Sequence, residues 1–120
     1  TDGATWTART SGTSKDLIGV AYGNGTFVAA GWDGIVSTSQ DGISWTPISY
    51  PSVPVGIYGI GYGNGLFVAV GYELLIATSP DGVSWTRQTP IESSVNLKSV
   101  AYGNGTFVAV GNNGTILTSP

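Results

Sequence analysis

Apolar residues along the chain come in short runs separated by Gly, Asn and Asp, and no run keeps the spacing of a helical face. In Thr106–Val110 the side chains of Phe107 and Ala109 point one way and those of Val108 and Val110 the other, so both faces are apolar. A strand of that kind belongs in a sheet that is covered on both sides. The run recurs three times, as Tyr22-Gly23-Asn24-Gly25-Thr26-Phe27-Val28-Ala29, Tyr62-Gly63-Asn64-Gly65-Leu66-Phe67-Val68-Ala69 and Tyr102-Gly103-Asn104-Gly105-Thr106-Phe107-Val108-Ala109, at a period of 40 residues. A second landmark, Asp-Gly-x-x-Trp-Thr, keeps step with it at Asp2–Thr7, Asp41–Thr46 and Asp81–Thr86. Trp45 and Trp85 stand 40 residues apart and Trp6 and Trp45 39, so the first copy is one loop residue shorter.

Repeats of about 40 residues made only of strands predict the blades of a β-propeller, because solenoids of similar period are built from amphipathic helices. The fold class is therefore all-β, with four-stranded antiparallel blades in three copies over about 2–40, 41–80 and 81–120. In the third copy strand a is expected over Leu97–Tyr102, b over Thr106–Val110 and c over Thr115–Ser119. Strand d is expected over Ser84–Gln88 in the second copy and over Thr5–Ala8 at the N-terminus.

The turn residues have structural roles. Asn24, Asn64 and Asn104 each precede Gly, a pair that accepts positive φ at both positions and closes an a–b hairpin. Asp2, Asp41 and Asp81 are expected to accept main-chain N–H groups inside the c–d turns. Asn24, Asn104 and Asn113 also begin Asn-x-Thr triplets that match glycosylation acceptors, but the turn geometry accounts for them.

Ser39-Gln40-Asp41-Gly42-Ile43-Ser44-Trp45 and Ser79-Pro80-Asp81-Gly82-Val83-Ser84-Trp85 resemble the Asp-box hairpin of sialidase-like propellers, Ser-x-Asp-x-Gly-x-x-Trp, with one residue fewer between Asp and Gly. The resemblance extends over the whole chain at the level of the repeat. The arginine triad and Tyr–Glu pair of sialidase-like enzymes have no counterpart, since the only arginines are Arg9 and Arg87. The Gly-His and Trp-Asp landmarks of WD40 repeats are absent, and Trp32-Asp33 is a solitary pair at a b–c turn.

Composition narrows the chemistry. Without Cys or His there is no disulfide, no thiolate or imidazole nucleophile and no common zinc site, and no cofactor or metal is expected. The net charge of -3 and four scattered basic residues argue against nucleic acid or an anionic membrane as partner. No apolar run reaches membrane-spanning length, so the chain reads as soluble, and nothing assigns a compartment. Gly contributes 19 residues, more than twice its usual share, and charged residues only 9% against the usual quarter, as tight-turned all-β repeats require. The start at Thr1 without an initiator Met reads as a trimmed, excised or engineered segment.

The chain opens in a strand d and stops after a strand c, so each end holds an incomplete blade. Three blades would each have to turn roughly 120° to close a ring, whereas propellers use about four to eight blades. Left open, the arc exposes a strand edge and apolar blade faces. The expected partner is the chain itself: a homodimer of six blades, or a homotrimer of nine, unless the segment is half of a longer natural chain. Ser119-Pro120 would then meet Thr1-Asp2 of the next copy.

The variable positions gather on the face opposite the Gly-Asn-Gly and Asp-Gly turns. They are Trp32 and Asp33, Tyr72 and Glu73, and Asn112 and Asn113 at the b–c tips, with the loops Arg9–Asp16, Ser49–Gly56 and Thr89–Asn96. An aromatic beside a carboxylate suits a sugar ring, one to stack and one to accept from hydroxyls. The alternative is that the aromatics pack under neighbouring loops and the acids hold turns. Asp33 and Glu73 occupy equivalent sites, whereas a glycosidase acid and base need different environments, so no enzyme is expected. Three functions remain: a non-catalytic self-assembling scaffold, a multivalent carbohydrate-binding propeller, and a sialidase-like hydrolase.

Overall fold

A computed structural model describes residues 2–49, 56–89 and 94–120. Among the described residues eleven strands form three antiparallel sheets. The first sheet is β1 (Leu17–Gly23), β2 (Thr26–Gly31), β3 (Ile35–Ser39) and β4 (Thr46–Ser49). The second is β5 (Ile57–Gly63), β6 (Leu66–Gly71), β7 (Leu75–Ser79) and β8 (Thr86–Arg87), and the third is β9 (Leu97–Gly103), β10 (Thr106–Gly111) and β11 (Ile116–Ser119). Each strand pairs with its chain neighbour, the up-and-down order of a blade.

Register repeats with the sequence: Tyr22 faces Phe27, Tyr62 faces Phe67 and Tyr102 faces Phe107 across the a–b hairpins. Those hairpins turn on Asn24, Asn64 and Asn104, each at φ 50°, followed by a Gly at positive φ, as the Asn-Gly pairs predict. Phe27, Phe67 and Phe107 face Ser39, Ser79 and Ser119 on the third strand of each blade.

The sheets stack face to face, with the innermost strand β5 lying against β1 on one side and β9 on the other. The approach is close: a Cβ on Gly59 would stand 2.8 Å from the Cα of Ser99. One core fills the space between the first and second blades, with Val28, Val36, Ile60, Phe67 and Trp85 in it. A second lies between the second and third blades and contains Val68, Val70, Leu97, Val100 and Phe107.

Three local differences from the sequence reading have physical causes. The third strand of the last blade begins at Ile116 rather than Thr115: the equivalent of Thr115 in the first blade, Ile35, pairs with Ser49 of β4, and among the described residues Thr115 has no fourth strand beside it. The outer strand β8 begins only at Thr86, because Ser84 is held in the Asp81 turn, and ends at Arg87, beyond which the Thr89 hydroxyl takes the Ile76 N–H. Residues Thr5–Ala8 are not a strand, because among the described residues no strand lies beside them to pair with. The parts of the expected loops at 50–55 and 90–93 fall outside the described residues.

Candidate functional site

The c–d turns are built alike. Asp41 Oδ1 accepts the N–H groups of Ile43 (2.8 Å) and Ser44 (2.9 Å) and the Ser39 hydroxyl (3.1 Å). The same hydroxyl accepts from Gly42 N–H at 2.8 Å, and Trp45 closes the loop by donating to the Gly42 carbonyl. Asp81 repeats the arrangement with Ser79, Val83, Ser84 and Trp85. The N–H of Ser44 holds the Asp41 carboxyl below its usual range, and that of Ser84 does the same for Asp81. Asp2 takes the N–H groups of Thr5 and Ala4, and Thr5 most of all pulls it down to about 2. These aspartates are therefore committed to their own turns.

At the opposite end of the blades each b–c tip is a single tight turn, Trp32–Gly34, Tyr72–Leu74 and Asn112–Gly114, with Asp33, Glu73 and Asn113 in left-handed backbone. The Trp32 ring stands edge-on to Tyr58 at 5.4 Å, and Tyr58 in turn lies 4.3 Å beneath the Lys98 ammonium. Asp33 pairs with Lys15 at 2.7 Å, a bond that raises the lysine's pKa. The pair is more than half exposed on both sides, so its contribution is small. Glu73 donates its main-chain N–H to Asn96 Oδ1, and Asn112 Oδ1 accepts from the Asn96 N–H, so both positions tie a tip to the neighbouring loop. Arg87 donates to the carbonyls of Thr89 and Glu73 and fixes the second tip from behind.

Trp32 and Asp33 thus share one tip and Tyr72 and Glu73 the equivalent one, with both aromatics about two-fifths exposed. Sequence reasoning did not single out Tyr58, Lys98, Lys15 or Asn96. Tyr58 and Lys98 hold one repeat position, which Ile18 fills in the first blade, and that variability inside a repeated strand was a usable signal. Among the described residues no three His, Cys, Asp or Glu side chains gather as metal ligands would.

The third feature is at the two ends. Among the described residues the outer edge of β11 has no strand beside it, and Ile116 on it is 67% exposed. Ser119 is exposed, whereas its equivalents Ser39 and Ser79 are buried under their turns. At the N-terminus, Asp2–Trp6 form the same Asp-Gly turn without its serine, with Trp6 donating to the Gly3 carbonyl at 3.0 Å, and among the described residues no sheet lies behind it.

No family model and no curated protein matches the chain. Solved structures do. YCF48 bound to a D1 peptide superposes with a TM-score of 0.74 at 16% identity, over 89% of this chain and 38% of that one. The WD40 β-propeller domain of Doa1 gives 0.68 at 17% identity, over 88% and 38%. The chain has the fold of a β-propeller segment. The computationally designed Ika4 protein is similar at a TM-score of 0.50 and 11% identity, over 89% of this chain and 92% of that one. At these identities the likeness is one of fold, and the chain spans 38% of the length of each of the first two.

Proposed function

We propose that the chain is a non-catalytic, self-assembling propeller scaffold, closing its ring by pairing the N-terminal segment of one copy with β11 of the next. The repeating units are the copies over 2–40, 41–80 and 81–120, and the turns are those of Asp-box propellers. The observation that supports the reading is a complementarity: among the described residues β11 has no strand on its outer edge, and Asp2–Trp6 repeat the turns that lead into β4 and β8.

The register follows from the complete blades. Thr38 faces Thr46 and Thr78 faces Thr86, so Thr118 would face Thr7 of the next copy, and Leu117 would face Ala8. Ser119 would reach Asp2 as Ser39 and Ser79 reach Asp41 and Asp81. The contact is head-to-tail and closes by rotation. Two copies make six blades, within the usual range of rings, and are preferred to three copies and nine blades. Molar mass by light scattering across a concentration series tests this. Twice the 12.3 kDa chain mass is the expected result and three times supports the trimer, while a single-chain mass at every concentration rejects self-assembly.

A multivalent carbohydrate-binding role is the second reading. It is favoured by the exposed rings of Trp32 and Tyr72 at equivalent tips, with Asp33, Glu73, Asn112 and Asn113 beside them or on the third tip. It predicts tryptophan fluorescence changes with simple sugars that are lost in Trp32→Ala; no response to any sugar removes it.

A further inference from the structure

The three Asp-Gly-x-x-Trp turns are chemically alike, but their tryptophans are not equally covered. Trp85 is 7% exposed, Trp45 is half-buried and Trp6 is 85% exposed. The order follows the number of blades around each. Trp85 has its own blade behind it and the first blade beside it, where it belongs to the core that includes Val28, Val36 and Phe67. Its turn presses on that neighbour, since a Cβ on Gly82 would stand 2.6 Å from the Val28 side chain. Trp45 has its own blade but none before it, and Trp6 has neither.

Moving the Trp85 site forward by one repeat leads to a cleft of about 480 Å³ between the second and third blades. Its walls include Val68, Ile76 and Phe107, each 40 residues after Val28, Val36 and Phe67, and Ser119 and Pro120 stand at its mouth.

A second complementarity lies on the same seam. The Tyr62 ring covers Gly23 so closely that a Cβ there would be 2.2 Å from it, and Tyr102 covers Gly63 in the same way at 2.1 Å. Gly103 has nothing within 4 Å, and Tyr22 at the other end of the arc is 57% exposed.

We infer that the cleft between the second and third blades is the binding site for Trp6 of a second copy, whose Tyr22 ring seats on Gly103. The occupant is a second copy because the Asp2–Trp6 turn repeats the Asp81–Trp85 turn that fills the equivalent space between the first two blades, with its indole bonded to Gly3 and presented to solvent. This rests on the ring-closing reading and adds where its energy is concentrated. An indole entering a mostly apolar cleft is the usual anchor of a protein interface.

The test uses Trp6→Ala and Gly103→Ala, which alter opposite sides of one seam; within the single chain the first removes a local bond to the Gly3 carbonyl and the second meets nothing. Dissociation constants for the wild type and both variants come from sedimentation. Trp6 itself is followed by the emission difference between the wild type and Trp6→Phe under acrylamide. The expected result is association weakened roughly 100-fold by Trp6→Ala and at least about 10-fold by Gly103→Ala, as central interface residues behave. Added indole should restore association of Trp6→Ala, and the Trp6 emission should move to the blue and lose its quenching as the mass rises. Assembly with Trp6 still quenched freely, or with both variants associating like the wild type, overturns the assignment while leaving ring closure intact. A single-chain mass at every concentration overturns both.

Discussion

Replacing Trp85 by Ala tests whether blade stacking, and not the turn alone, holds the molecule together. A tryptophan covers about 200 Å², and burying nearly all of it at about 25 cal/mol per Å² gives about 5 kcal/mol as an upper bound, since the unfolded chain already hides part of that surface. Large-to-small core substitutions at Trp cost about 3–5 kcal/mol, in agreement. The indole N–H also bonds the Gly82 carbonyl at 2.9 Å, and losing that bond in a buried site adds about 1 kcal/mol. Trp85→Ala should therefore destabilise the single chain by about 4 kcal/mol, a large part of the roughly 5–15 kcal/mol of a small domain. Trp6 makes the same turn bond but is 85% exposed, so Trp6→Ala should change single-chain stability by less than about 0.5 kcal/mol. Trp45→Ala should fall between. Urea unfolding followed by far-UV circular dichroism, at dilution sufficient to keep one chain per particle, gives all three values. Equal costs at the three positions would mean that the turn bond dominates, and the blade-stacking account would be wrong.

The remaining predictions concern other parts of the repeat. Gly23→Ala forces a Cβ against the Tyr62 ring and should cost about 1–3 kcal/mol, whereas Gly103→Ala meets nothing and should leave single-chain melting unchanged. Asp2, Asp41 and Asp81 are held below their unfolded pKa by main-chain N–H groups, so the folded state binds fewer protons than the unfolded one in acid. Their contribution is complete above about pH 4 and is lost as pH falls through their folded values. The melting temperature should drop between about pH 4 and pH 2, less steeply in Asp41→Asn and Asp81→Asn; a flat profile would refute the turn chemistry. A double-mutant cycle on Lys15 and Asp33 should show only weak coupling, diminished further by salt, because the pair is exposed.

Much of this architecture was legible because the repeat carries its own geometry. Asn-Gly at 24, 64 and 104 fixed the hairpins, and alternation with two apolar faces in Thr106–Val110 announced a sheet stacked on both sides. The Asp-Gly turns formed as their spacing implied, including the one at Asp2 that has no sheet behind it, because all its bonds are local. What could not be read were interactions between blades at positions where the copies differ. The Trp32, Tyr58 and Lys98 stack depends on the offset between adjacent sheets, and the Lys15–Asp33 pair on how a variable loop returns to its tip. The strand expected at Thr5–Ala8 has the composition of a strand and lacks only a neighbour, for β structure is completed by pairing and not by local preference.

Ring closure is tested most directly by cross-linking in register. The chain has no native cysteine, so Thr7→Cys on one preparation and Thr118→Cys on another leave no competing thiol. Residues facing each other across paired strands hold their Cβ atoms about 4.5–5.5 Å apart, within reach of a disulfide after slight adjustment. Mixed and oxidised under mild conditions, the two variants should give a covalent dimer in high yield, while Ala8→Cys with Thr118→Cys, one residue out of register, should give far less. Equal yields from the two pairs, or none from either, would contradict closure of the ring by the N-terminal segment on β11.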